Sequence, residues 1–503
     1  MNLSKRIGAG LVAVALAASA LAGATPAAAA NKTDLVIGTV TDIKSWDPTQ
    51  GDIGHLLPYY QSVYDNLILR TPDGKYKPNL ATRWVWNKSG TVLTMSLREG
   101  VKFSDGSAFN ATVAKANLDA FIAGNGPQRS TINDAKIAVI DPRTISITLT
   151  KANPDLEYFL STSSSFMASP KAIGTAGVKT KPVGSGPYLF SEASVTGSQI
   201  VVTANPTYWD KSKVKFKKIT FKILSDTTAR LNAIISGQVD ATILDVKTAS
   251  TAKGRGLTQM SNYVDRQGLL LFDREGTKNK ALANVKVRQA IAYAIDRPAL
   301  LKAVQGGYGQ VTNQAFSPNT PAYDKALDST YPLNIAKAKA LLTEAGFGDG
   351  VTLNMPTWVD PTMNAVLKDQ LAKAGITINW VSTPPAEYRN QAITGKFEAA
   401  IYQLNQPNIW AAINQMAGPD ATWNVLKAKS TVVDAAMKSI ETTPTAANIA
   451  KQGKVVNSFL TKDAWVVPFY RLPQLFFTNK RIKTINQATN AVPYIFNYSP
   501  TGK

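Results

Sequence analysis

Residues 351 to 404 alternate strand, helix, strand, helix and strand, and this alternation restricts the fold of the chain more than any other feature. VTLNMPTW reads as a strand, residues 363 to 374 as a helix ended by Gly375, and ITINWV as a second strand. Further helical sequence near 386 to 394 leads into a third strand, FEAAIYQL. Strands joined through helices make parallel sheets with right-handed crossovers. One parallel sheet is therefore expected here, with Trp358, Thr383, Gln403 and Asn405 at its carboxyl edge, where open α/β sheets bind ligands. An earlier stretch repeats the logic. ITFKILSD from 219 is a strand, TTARLNAIISG a helix closed by Gly237, and DATIL the next strand. DLVIGTV (34 to 40) adds a buried strand, followed by a polar loop holding Asp42, Trp46, Asp47 and Pro48. The chain thus has two α/β halves, each with a polar, aromatic rim.

Between them, residues 72 to 106 carry short alternating runs broken by Gly and Asp, which predict a β-rich insert, with a helix over 110 to 123 and a hairpin in IAVIDPRTISITLT (137 to 150). In VKVRQAIAYAID (285 to 296), Val287, Ile291, Ala294 and Ile295 make one apolar helix face, and Pro298 suits the first turn of the next helix. Another helix, 336 to 345, stops at Gly346. The run KSKVKFKKITFK (211 to 222) reads as a strand with one solvated face whose charges discourage edge pairing.

Composition removes most enzymology. The 503 residues include no cysteine and one histidine, His55. Thiol chemistry, disulfides and the common zinc sites are excluded. A Ser-His-Asp triad would need His55, which lies among apolar neighbours in GDIGHLLPYY and reads as a packing or surface residue. There is no G-x-S-x-G, Walker or H-E-x-x-H motif, and the S-x-x-K of Ser250 to Lys253 lacks companions. No catalytic residue, metal ligand or cofactor is expected. The formal charge of +21 is spread thinly, without a basic helix, so it points to an anionic envelope rather than nucleic acid.

The first thirty residues set the compartment. Lys5 and Arg6 precede an uncharged apolar core, and Ala28 and Ala30 form a small-residue cleavage site, the pattern of a secretory signal peptide cut before Asn31. Its loss leaves 53 basic against 34 acidic residues, a charge of +19. No cysteine marks a lipoprotein cleavage site, so the mature chain is expected outside the cytoplasm without a lipid anchor.

Nine segments in order carry a resemblance: SWDPTQ (45 to 50), VYDNLI (63 to 68), DGKYKPNLATRW (73 to 84), LREGVKFSDGSAFNA (97 to 111), VGSGPY (183 to 188), PTYWD (206 to 210), SGQVDA (236 to 241), VRQAIAYAIDR (287 to 297) and AKALLTEAGFGDG (338 to 350). The mature chain resembles the family 5 extracellular solute-binding proteins of bacterial ABC importers, the family named for oligopeptide, dipeptide and nickel uptake. Most of these motifs read as scaffold: Gly100, Gly106, Gly184, Gly186 and Gly346 supply backbone angles that a Cβ would penalise, and the helix with Arg288 and Asp296 reads as a packing and ion-pair element. The resemblance implies a two-lobed α/β fold with a β-rich domain inserted in the first lobe. The first lobe would cover 31–70, 182–270 and 476–503, the inserted domain 71–181, and the second lobe 271–475. It also implies a monomer that closes over a small solute or peptide and delivers it to a permease and ATPase.

In such a cleft, Trp46, Trp358, Trp410 and Trp423 are the candidate walls, and Asp42, Gln403 and Asn405 the candidate polar contacts. Peptide-binding members anchor the ligand's amino group with an aspartate after the strand corresponding to EAAIYQL. This chain has YQLNQPN there and no acid between Glu398 and Asp420. A neutral or blocked ligand is expected on that ground, unless Asp420 substitutes. A secreted hydrolase, or an exported chaperone or adhesion protein, are the alternatives.

Overall fold

In the computed structural model, residues 33–502 are described, apart from 386, 406 and 407; the segment expected to be a signal peptide, 1–30, lies outside the described residues. The largest sheet runs in the order Ala399–Asn405, Thr258–Leu271, Val466–Thr478, Ala241–Leu244, Asp34–Thr39, Lys218–Ile223, Gln199–Ala204 and Tyr188–Phe190. Asp34–Thr39 pairs in parallel with both Lys218–Ile223 and Ala241–Leu244, as the strand–helix–strand pattern from 219 requires, with helix Thr227–Ile235 as the crossover.

Two long strands, Thr258–Leu271 and Val466–Thr478, pair antiparallel from Thr258↔Thr478 to Leu270↔Val466 and join the two ends of this sheet. Their ladder is interrupted twice, between Tyr263 and Asp265 and between Gln267 and Gly268. Pro473 faces Tyr263 and Pro468 faces Gly268 in the register, so each proline sits at an irregularity. There a missing N–H does least harm to pairing. At the far end alternation divides the strands between two cores. Leu269, Leu271 and Ile401 enter one, whereas Leu270, Ala400 and Tyr402 enter the other. Each leucine or isoleucine so withdrawn from water contributes about 1.5–3 kcal/mol.

Residues 72 to 150 form the expected β-rich unit. Ala81–Trp86, Val92–Leu97, Thr144–Thr148 and Lys136–Asp141 make a four-stranded antiparallel sheet, covered by helix Ala111–Ala123 over a core that includes Leu93, Phe121 and Ile145.

The expected parallel sheet of 351 to 404 is not continuous. Val351–Pro356 and Ile376–Val381 pair in parallel, but Ala399–Asn405 joins the large sheet, antiparallel to Thr258–Leu271. Glu398 explains the break. Its buried carboxylate accepts from the Asn354 backbone N–H (2.7 Å) and side-chain Nδ2 (2.8 Å), so a side chain occupies the donor a third ladder would use.

The glycines divide by mechanism. Gly100, Gly106 and Gly346 have φ of +74°, +83° and +83°, the left-handed region expected of them. Gly184 and Gly186 do not. A Cβ at Gly184 would lie 1.9 Å from the Val63 carbonyl oxygen, and one at Gly186 2.5 Å from the Val63 carbonyl carbon. Both are needed for close backbone approach, not for an angle. Gly184→Ala should therefore cost about 1–3 kcal/mol, the range for forced overpacking, measured as an earlier denaturant midpoint. Gly106→Asn, at a left-handed turn with open space around it, should cost far less.

Motifs far apart in sequence meet at Asp65, which is fully buried. Its carboxylate accepts from Ser185 Oγ (3.1 Å), Tyr208 Oη (2.9 Å) and Trp209 Nε1 (3.0 Å), so VYDNLI, VGSGPY and PTYWD are one hydrogen-bonded unit. Lys213, with Nζ 4.6 Å from the Trp209 ring centroid and donating to Asn79 Oδ1 (2.7 Å), adds a half-buried cation. This corrects the reading of the lysine run: Lys211, Lys215, Lys217 and Lys218 are solvated, whereas Lys213 belongs to this network and precedes the strand, which starts at Lys218. The Arg288 ion pair is made with Asp463 (2.6 Å), while Asp296 caps helix Arg297–Gln305 by accepting from the Ala299 N–H.

Candidate functional site

The irregular ladder between the two long strands bends the backbone where Tyr263, Asp265 and Arg266 meet Leu404 and Arg471. A small recess of about 20 Å³, room for about one water molecule, lies there, and Val264, Ala315 and Ser317 complete its wall. Asp265 faces Asn405 in the register with Ala399–Asn405. Its Oδ2 accepts from Gln403 Nε2 at 2.9 Å and, more distantly, from Gln474 Nε2 at 3.5 Å. Burial pushes the Asp265 carboxyl up, against the pull of both amides. Among the described residues, no lysine or arginine forms an ion pair with it within 4.0 Å.

Arg266 presents the opposite imbalance. It is buried, donates from Nε to Tyr402 Oη (2.8 Å) and from Nη2 to Met416 Sδ (3.0 Å), and has no carboxylate within 4.0 Å among the described residues. Arg471, its partner in the ladder, lies 3.4 Å from Asp328, and burial lowers its pKa. One recess thus holds an acid paired only with amides and a guanidinium paired only with a phenol and a thioether. Arg266 is buried and Asp265 half-buried, and charges withdrawn from water are costly unless an opposite charge arrives.

Polar atoms near this point also lack partners. Among the described residues, Asn405 Oδ1 and Arg471 Nε are buried and make no hydrogen bond. Buried polar groups are satisfied in the great majority of cases, so Arg471 Nε, in the recess wall, and Asn405 Oδ1, on the residue paired with Asp265, mark a place for a ligand.

The sequence-predicted residues separate. Gln403 and Asn405 come together with Asp265. Trp410 is half-buried at the start of helix Ile409–Met416, and Trp358 is half-buried between two cores with its ring edge-on to Tyr388 (4.8 Å, 81°). Trp46 and Trp423 are buried. Trp46 is 3% exposed and packs edge-on against Tyr59, Tyr60 and Phe190; Trp423 is 5% exposed and stacks on Phe272. Both supply hydrophobic core and not an open wall. Asp42 takes a turn role: its Oδ2 accepts from the Gly197 N–H at 2.8 Å and pins the turn before Gln199–Ala204, while Oδ1 is buried without a partner. His55 lines an apolar recess with Ile37, Phe221, Ile243 and Phe476, and burial lowers its pKa, so it is the packing residue expected.

Asp265, Arg266 and Arg471 were not found from sequence. The sequence pattern points to the loop after Ala399–Asn405 for an acid, whereas Asp265 lies on the strand beside it.

The family description "Bacterial extracellular solute-binding proteins, family 5 Middle" matches residues 75–418. The chain belongs to that family. The glutathione-binding protein GsiB of Salmonella typhi is 31% identical to this receptor over 399 residues, covering 77% of this chain and 75% of that protein. GsiB of Escherichia coli O157:H7 is 30% identical over 400 residues, covering 77% and 76%. The structure of HbpA2 from Haemophilus parasuis superposes with a TM-score of 0.81 at 22% identity, over 93% of this chain and 100% of that one. NikA from Brucella suis, in complex with Fe(III)-EDTA, gives 0.80 at 22%, over 93% and 100%. These structures share the fold: two-lobed, α/β, of the periplasmic-binding-protein kind. The receptor captures a small solute for an ABC importer and its permease and ATPase, and is not an enzyme. No described helix is long and apolar enough to cross a membrane.

Proposed function

We propose that the receptor carries a zwitterionic, peptide-like solute, with the ligand's ammonium on Asp265 and its carboxylate on Arg266. The observation that carries this reading is the pair of uncompensated charges in one recess. Asp265 is held by the amides of Gln403 and Gln474, and Arg266 by Tyr402 and Met416. Asn405 Oδ1 is a second acceptor for the ammonium, and Arg471 Nε a second donor for the carboxylate. Trp358 and Trp410 are side-chain walls further from the charges.

The sequence-based preference for a neutral or blocked ligand rested on the lack of an acid after Ala399–Asn405. Asp265 supplies that acid from the adjoining strand, so free-amine peptides return as ligands. Binding of glutathione by the GsiB relatives fits the same chemistry, since glutathione has one free amino group and carboxylates. On this reading the receptor is an exported monomer released after Ala30, without a lipid anchor. Residues 31–70, 182–270 and 476–503 form one lobe, 71–181 the inserted domain and 271–475 the second lobe.

Calorimetry with a matched pair tests the charge requirement. A free-amine tripeptide such as glutathione should bind at least about 100-fold more tightly than its N-acetyl form, the scale of truncating one partner of a buried charge pair. Equal affinities would remove Asp265 from the site.

A further inference from the structure

The β-rich unit reaches across to the helix that follows the site. Asp155 sits immediately before helix Leu156–Leu160, whose Leu156 and Leu160 belong to the core of that unit. Its Oδ2 accepts from the backbone N–H of Ala411 at 2.8 Å. Ala411 lies in the first turn of helix Ile409–Met416, whose Ile409 and Ile413 belong to a different core, with Tyr402 and Leu404. The two residues are 256 positions apart, and the Asp155 side chain is almost wholly buried. A second contact lies alongside: the turn at Gly90 approaches Pro444 so closely that a Cβ at Gly90 would lie 2.4 Å from Pro444 Cγ.

We propose that Asp155 is a positioning residue of the receptor. When the β-rich unit and the second half meet, its carboxyl docks on the first turn of Ile409–Met416 and sets the stretch of chain that carries Asn405 and Asn408. The contribution of Asn405 to the ligand rests on the zwitterion reading, but the docking contact does not.

Three observations support the docking. The N-terminal N–H groups of a helix lack intrahelical partners, and a carboxyl oxygen supplies one. Asp155 makes no ion pair among the described residues, so the helix end is its main polar partner on the other side. Burial at the contact pushes its carboxyl up to about 7, against the Ala411 N–H and the neighbouring Asn408 amide. Tyr76 and Tyr158 are raised by burial and stay neutral, Glu157 accepts from Trp86 Nε1, and Arg70 is engaged by Ala488 O and Thr489 Oγ1. Helix Ile409–Met416 has no ionisable side chain.

The sign follows. Docking raises the Asp155 pKa above its ordinary value near 3.8, so docking takes up a proton. It should strengthen as the pH falls through about 7, by at most about tenfold per pH unit, and level off near the ordinary carboxylate range.

The test needs no ligand. Amide hydrogen exchange of the peptide spanning 409–416 is followed from pH 8 to 5.5 in the ligand-free receptor, after correction for the intrinsic pH dependence of exchange. Wild type should become more protected as the pH falls. Asp155→Asn, which keeps an acceptor oxygen without a proton to exchange, should be protected at every pH with no such trend. Asp155→Ala should lose the protection while keeping the wild-type denaturant midpoint of the β-rich core to within a modest shift. Wild-type protection at Ala411 in Asp155→Ala, or a persisting pH trend in Asp155→Asn, would overturn the proposal. Failure of glutathione to bind wild type would instead count against the zwitterion reading alone.

Discussion

Replacing Asp265 with Asn should weaken binding of a free-amine peptide by about 10²–10³-fold, while the ligand-free receptor keeps or slightly gains stability. The two effects have one cause. Burial holds the Asp265 carboxyl above its ordinary range, so the charge is a cost to the folded protein until a cation arrives. An amide removes that cost and removes the attraction. Truncating one partner of a hydrogen-bonded charge pair withdrawn from water costs about 2–5 kcal/mol, about 30- to 5,000-fold, which brackets the stated loss. The pH dependence has a definite sign. Because the free receptor's Asp265 binds protons more readily than an ordinary aspartate and an ammonium favours the ionised form, ligand binding releases a proton. Affinity should therefore fall as the pH drops through the raised pKa, and Asp265→Asn should flatten that dependence. Calorimetry in buffers of different ionisation enthalpy would read the released proton directly. An Asp265→Asn receptor with wild-type affinity would exclude this carboxylate from the site.

The second large effect concerns the scaffold. Asp65→Ala should destabilise the receptor by about 3–5 kcal/mol, as loss of one member of a buried charged network does. Three donors, Ser185 Oγ, Tyr208 Oη and Trp209 Nε1, would lose their shared acceptor, and Lys213 would lose a nearby counter-charge. Asp65→Asn should be milder but still damaging, since its Nδ2 would face donors. A denaturant titration followed by tryptophan fluorescence is the suitable readout, because Trp209 is itself bonded to Asp65. A variant unfolding at the wild-type midpoint would show that the convergence of these three motifs is not structural.

Much of the fold was legible because its elements obey short-range rules. Val287, Ile291 and Ile295 fall on one helix face and are buried there, and the hairpin of 137 to 150 pairs around its Asp-Pro turn. The two longest strands were not legible. Thr258–Leu271 begins with polar residues that are only half-buried, so it lacks a clean alternation, and Val466–Thr478 contains two prolines, which ordinarily argue against a central strand. Both prolines are tolerated because they lie opposite ladder irregularities, and that is a property of the pairing, not of either segment.

The site was half legible for the same reason. Gln403 and Asn405 stand at a strand end that the 351 to 404 pattern located. Asp265 lies 138 residues from Gln403 and becomes its neighbour only through the antiparallel register. A signal was present: an Asp-Arg pair in YVDRQGLLL, entering an apolar run, places adjacent opposite charges where burial follows. Tryptophan was a poorer guide. Trp46 and Trp423 answer to core packing, as large aromatic side chains usually do.

The solute itself provides the most direct test. The receptor would be purified gently from cells exporting it, denatured, and the released small molecules identified by mass spectrometry. A solute with a free amino group and a carboxylate, present at near one equivalent, is the expected result. Near-stoichiometric recovery of a neutral or N-blocked solute would contradict the pairing of ligand charges with Asp265 and Arg266.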